Sequence, residues 1–197
     1  MKQVAWIVGV LVVVAVVVAL IFGGMYVSDR NQMVALNESV KSDWAQVDVV
    51  LQRRADLIPN LVATVKGYAA QEQTVFDDVD KARTALIGAQ TPAGKIAANG
   101  QLDGALGRLL AIVENYPQLK SNENFLQLQD ELAGTENRIA VERKRYDDAL
   151  QAYNTYIGLF PQNIFAGWAG FHRNNAYFAA SEASRAVPKV EFPAPNR

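Results

Sequence analysis

The chain has 197 residues, room for one sizeable domain and an appendage, with 19 Lys and Arg against 20 Asp and Glu and no basic block. That balance excludes the positive footprint of a nucleic-acid binder. The absence of cysteine excludes disulfides, thiolate metal sites and a cysteine nucleophile, and a single histidine, His172, removes most catalytic and metal-ligand templates.

The appendage comes first. From Val4 to Val27 every residue is uncharged and Val, Ala, Leu and Ile dominate. At about 1.5 Å per residue the run exceeds the roughly 30 Å hydrocarbon core of a bilayer, so residues 4–27 are expected to contact lipid as a transmembrane helix. Trp6 and Tyr26 stand near its ends, where amphipathic rings anchor at the interfaces. The run is longer than the apolar region of a signal peptide, and Phe22-Gly23-Gly24-Met25-Tyr26-Val27 is a poor cleavage site, so an uncleaved anchor over residues 1–28 is expected. Lys2 precedes the span and Arg30 and Lys41 come after it. By the positive-inside rule this points to a cytoplasmic C-terminal domain on a single-pass protein of the bacterial inner membrane.

From Asp29 to about Ile87 the pattern is helical almost without interruption. Val40, Trp44, Val47, Leu51, Ile58, Leu61, Val65 and Tyr68 form one stripe at coiled-coil-like spacings of three and four. A straight helix of that length would reach roughly 90 Å, and Pro59 is the expected bend. Its missing N–H forfeits the bond to the carbonyl of Ala55. Gly88 to Gly104, small and glycine-punctuated, reads as a mobile connection at a bundle end. A short helix is predicted from about Asp103 to Asn115, with Pro117 after it. The next starts after Ser121 or Asn122 and runs to about Phe160, with Phe125, Leu128, Leu132, Thr135, Ile139, Glu142, Tyr146, Ala149, Tyr153, Ile157 and Phe160 on its stripe and Pro161 as the stop. The expected fold is all-α: an N-terminal transmembrane helix, then an antiparallel, up-and-down bundle with very long helices over residues 29–161. Residues 162–197 form an aromatic-rich tail with a short helix from about Asn163.

Several runs carry a resemblance. Arg53-Arg54-Ala55-Asp56-Leu57-Ile58-Pro59-Asn60-Leu61-Val62, Val65-Lys66-Gly67-Tyr68, Glu114-Asn115-Tyr116-Pro117 and Leu126-Gln127-Leu128-Gln129-Asp130-Glu131-Leu132 are similar to the LemA family of bacterial membrane proteins. Thr135-Glu136-Asn137-Arg138-Ile139-Ala140, Tyr153-Asn154 and Phe160-Pro161 fit the same pattern, and the similarity runs from about Asp29 to Phe192. Tyr146-Asp147 departs from it, the family commonly having Tyr-Asn. The resemblance implies a membrane anchor, a helical bundle and a larger homo-oligomer. It implies no catalytic residues, and its relatives linked to membrane-organelle formation imply a structural role.

Two groups of residues stand out as candidate sites. Arg53, Arg54 and Asp56 lie on a helix expected to face the one bearing Glu136, Arg138, Glu142 and Arg143, and Arg54 and Glu142 fall on apolar seams. They are read as a buried salt-bridge network that fixes helix register, the other reading being a charged ligand or partner pocket. Phe165, Trp168 and Phe171 recur every third residue, with Tyr177, Phe178 and Phe192 beyond. They read either as a lid on the bundle end or as a patch that touches a neighbouring subunit or lipid.

Catalysis, cofactors and metals are not expected. A di-iron bundle needs Glu-x-x-His on two helices, and this chain has none. No serine has a histidine partner in view, and Asp77, Asp78 and Asp80 read as a solvated helix face. The function expected is a membrane-anchored scaffold or adaptor that self-associates or recruits membrane proteins. The alternative is a ligand-sensing or regulatory module acting on a membrane protease or sensor through the charged site.

Overall fold

A computed structural model describes residues 2–178, and among them the regular structure is entirely helical. Six helices succeed one another: α1 (Lys2–Lys66), α2 (Gln73–Gly88), α3 (Pro92–Val113), α4 (Pro117–Lys120), α5 (Glu123–Gly158) and α6 (Gln162–Ala169). The described residues divide into two compact units, one from residues up to Val50 with Arg138–Asn175, the other from Leu51–Asn137 with residues 176–178. Phe192 lies outside the described residues, as does the rest of the expected tail beyond residue 178.

In the first unit, α1 and the second half of α5 run antiparallel. Trp44 meets Tyr146 edge-on at 5.2 Å, and farther down α1 Asp29 accepts a 2.7 Å hydrogen bond from Tyr156. Met33, Val40 and Val47 bury one stripe of α1; Ile139, Tyr146, Leu150, Tyr153 and Ile157 bury the facing stripe of α5. From Trp6 to Met25 the residues of α1 stay exposed, and α1 is the one described helix long and apolar enough to cross a membrane.

The second unit is an up-and-down four-helix arrangement of the end of α1, α2, α3 and the start of α5. Leu51, Ile58, Leu61 and Val65 of α1 are buried in the core of this unit together with Phe76, Val79, Leu102, Leu109, Leu119 and Phe125. The helix expected to run on to Ile87 instead ends at Lys66, and residues 67–72 turn the chain back into α2. Gly67 is a weak helix former, and Lys66 places a cation at the carbonyl end. The stripe continued past the turn because α2 buries a face of its own, Phe76, Val79, Ala82 and Leu86. Periodicity alone therefore could not locate the break.

The segment Gly88–Gly104, expected to be a mobile connection, is mostly α3. Thr91 caps the helix, its hydroxyl accepting from the N–H of Gly94 at 3.1 Å, and Pro92 occupies the first turn, where its missing N–H costs nothing. The small residues let helices approach closely: Ala98, Leu102, Ala105 and Leu109 are buried along one face, and α2 packs beside α3. Only residues 89–91 remain as a link, and the four-residue α4 adds a turn where none was predicted.

α1 continues helically through Pro59. The carbonyl of Ala55, which a proline at that position leaves without its helical donor, accepts a 2.8 Å hydrogen bond from Nε of Arg83 on α2. Ala55 is fully buried, so without Arg83 its oxygen would lose that partner out of water. Arg83→Ala is expected to lower stability by about 1–3 kcal/mol, and far less in a Pro59→Ala background, where the backbone N–H returns. A double-mutant cycle by urea unfolding checks the coupling; purely additive losses would refute it.

Candidate functional site

The polar centre of the second unit is Arg54, only 7% exposed amid the leucines of the α1 seam. Its Nη1 donates to Oδ1 of Asn99 at 2.9 Å, and lies 2.6 Å from Oδ1 of Asp103 and 3.0 Å from Oε2 of Glu136. Asn99, itself buried, donates to Asp103 at 3.3 Å. One guanidinium on α1 is thus shared by two carboxylates, one on α3 and one on α5, leaving one excess negative charge. A long cationic side chain in a seam demands such partners, because a charge buried alone is far more costly than a hydrogen-bonded pair. Nε of Arg54 and Oε2 of Glu136 make no hydrogen bond among the described residues, so the geometry of the set is not closed there.

Beside this triad lies a cavity of about 320 Å³, lined by Arg54, Asp103 and Glu136 at one side and by Leu61, Leu106, Leu110 and Leu132 elsewhere. Its size and its mixture of apolar wall with a few convergent polar groups are those of a small-molecule site.

The structure brings Arg54 and Glu136 together but distributes the other charged candidates. Arg53 and Arg138 are exposed, and Asp56 accepts from Gln52 on its own helix at 2.8 Å. Glu142 and Arg143 belong to the first unit, where Glu142 takes Arg145 at 3.1 and 3.2 Å. Asn99 and Asp103 went unpredicted, since they fall in the stretch read as a connection. Their signal was present: polar residues four apart, downstream of a Thr-Pro helix start.

The aromatic group of the first unit is also divided. Phe165 is buried, with its ring edge-on to Tyr26 at 5.7 Å. Trp168, 5.9 Å from Phe165, is 73% exposed. The face expected to include Phe171 ends before it, because α6 stops at Ala169 and Gly170 takes the left-handed conformation at φ 77°. Gly170 and Phe171 return their N–H groups to the last turn of α6, and φ in that range favours glycine. Beyond it the chain is tied to α5: Asn154 exchanges two hydrogen bonds with the backbone of Asn174, at 2.6 and 2.9 Å, and Tyr153 donates to the carbonyl of His172 at 3.0 Å. Burial raises the phenol pKa of Tyr153; burial, then the bond to Asp29, pushes that of Tyr156 up to about 12.

A helix long and apolar enough to span a bilayer, continuous with packed helices and carrying a buried arginine triad, defines a membrane-associated all-helical protein. Its relatives agree. The LemA family matches residues 43–192, more than half of the chain, and the chain belongs to that family. It is 29% identical over 189 residues to magnetosome protein MamQ 2 of Paramagnetospirillum magneticum, covering 83% of this chain and 70% of that protein. Against MamQ of Magnetospirillum gryphiswaldense it is 29% identical over 169 residues, 73% of this chain and 62% of the relative. Protein LemA of Metamycoplasma hominis is 24% identical over 166 residues, 84% and 75% of the two chains.

Proposed function

We propose that this protein is a membrane-anchored scaffold or adaptor that works without catalysis, self-associating and recruiting proteins at the bacterial inner membrane from the cytoplasmic side. The observation that supports this most directly is α1 itself, which runs without a break from the apolar segment to Lys66. A helix with no linker after its anchor holds its own distal end at a set height above the bilayer, which suits assembly rather than a free-ranging enzyme domain. Similarity to proteins named for the magnetosome adds to a structural reading. The test is mass measurement and imaging of the full-length protein in mild detergent. A regular assembly of many copies is expected, and a monodisperse monomer at every concentration would end the proposal.

The cavity beside Arg54 favours a second reading, a ligand-sensing module. Its occupant would be an amphipathic molecule, with a polar head at Arg54 and Glu136 and an apolar body against the leucines. Gly107 also lines the cavity, and a Cβ there meets nothing within 4 Å. Gly107→Leu is therefore expected to fill the space without unfolding the bundle and to expel any small molecule that native mass spectrometry finds on the natural protein. A protein that carries no such molecule from its native membrane would count against this reading.

A further inference from the structure

We infer that α6, with the turn that leads into it, is a second membrane contact, seated in the lipid headgroup region beside the point where α1 leaves the bilayer. The inference rests on α1 being the membrane anchor.

The height of α6 along α1 points to the interface. Tyr26 ends the ring-bearing part of the apolar run, and Asp29 and Arg30 come directly after it. The bond from Tyr156 to Asp29 fixes α5 against α1 at this level, and α5 runs antiparallel, towards the apolar segment. At about 1.5 Å per residue, Gly158 at the end of α5 lies roughly 3 Å past Tyr156 in that direction, and Leu159 and Phe160 follow it in the turn to α6. The ring of Phe165 against Tyr26 holds the next helix at the same height.

The chemistry of the patch points the same way. No charged residue occurs between Asp148 and His172, so the uncharged stretch of α5 and α6 meets the uncharged end of α1. Phe160 is 80% exposed, Trp168 73%, Leu159 54% and Ile164 43%. Such side chains clustered in water would be costly. In the interface they are at their preferred place, the indole of tryptophan above all. Charge resumes with Asp29 and Arg30 on α1 and with Arg173 after α6, the positions where headgroups and water would begin. The scarcity of Lys and Arg within the patch is what immersion requires.

Lipid is the occupant rather than a second copy because the patch is continuous with surface that already faces the bilayer. Phe22, one turn before Tyr26 on α1, and Met25, next to it, are 57% and 41% exposed. A lid packed on its own bundle would have buried Trp168 as it buries Phe165.

The natural chain has no cysteine, so single nitroxide labels can be placed cleanly. Phe160→Cys and Trp168→Cys remove exposed side chains and leave the packed residues intact. Full-length protein is reconstituted into vesicles of phosphatidylcholine and phosphatidylglycerol, with Val18→Cys as the label within the span and Lys144→Cys as the label in water. Collision rates with oxygen, which concentrates in lipid, and with a water-soluble nickel chelate are measured by electron paramagnetic resonance. The oxygen-to-nickel ratio at 160 and 168 is expected to exceed that at 144 several-fold and to fall below that at 18. A ratio equal to that at 144 would overturn the contact, and so would shielding from both reagents, which would indicate a neighbouring protein surface. An aqueous ratio at 18 would overturn the anchor, and this contact with it.

Discussion

Arg54→Ala is expected to destabilise the Leu51–Asn137 unit by about 1.5–3 kcal/mol, the loss typical of hydrogen bonds to a charged group, because the arginine is buried while the Asp103 and Glu136 side chains keep 44% and 45% of their surface in water. Domains of this kind are held by only about 5–15 kcal/mol in total, so a sizeable share of the margin is lost and the melting temperature should fall by several degrees. The cause is not the lost attraction by itself. Asp103 and Glu136 would keep their charges at the edge of a leucine-lined cavity, and buried Asn99 would lose the donor that holds its carbonyl oxygen. Arg53→Ala is the matched control, an exposed arginine one residue away, with an expected change within about 0.5 kcal/mol. Thermal melts of the full-length protein in detergent decide the matter, and coincident melts for the two variants would show that the triad carries no stability. A triple variant, Arg54→Met with Asp103→Leu and Glu136→Leu, should recover part of the loss, because an apolar side chain then fills the buried position of Arg54 and no carboxylate is left without its cation. Such a variant separates fold from function: a stable protein that no longer binds its ligand or partner would mean the triad is kept for recognition.

The second large effect is expected at Phe165. Its ring is the one side chain of α6 that is both buried and in aromatic contact with α1. Truncating a buried phenylalanine costs about 3–5 kcal/mol, and here the loss falls on the docking of an eight-residue helix rather than on a whole core. Phe165→Ala should therefore release α6 while α2 and α3 stay folded. Deuterium exchange should rise over residues 162–170 and not over the bundle. The hydrogen bonds from Tyr153 and Asn154 to residues 172 and 174 would limit the release to the helix itself. Exchange that rises everywhere would mean Phe165 belongs to the central core, and exchange that rises nowhere would mean other contacts dock α6.

A helix reports its own faces through residues close together in the chain, and that much could be read without a structure. The apolar run of residues 4–27, the α1 stripe through Val40, Val47, Leu51, Ile58, Leu61 and Val65, and the span of α5 up to Pro161 were all legible. A period of 3.6 residues is a local property, and every one of these elements is long enough to display it. The turn at residues 67–72 was not legible, because apolar spacing persisted across it, and α3 was hidden by glycines and alanines that mark close packing as readily as they mark loops. The arginine on the seam announced a buried charge, and Glu136 stood among its expected partners, but Asn99 and Asp103 did not. Asp103 and Glu136 were selected by the register of three helices, and Arg83 became the donor for Ala55 because α2 folds back against α1. The inward turn of Phe165 and the outward turn of Trp168 were set in the same way, by which side of α6 meets Tyr26. Contacts between residues distant along the chain depend on summed packing across several interfaces, and no local pattern encodes that sum.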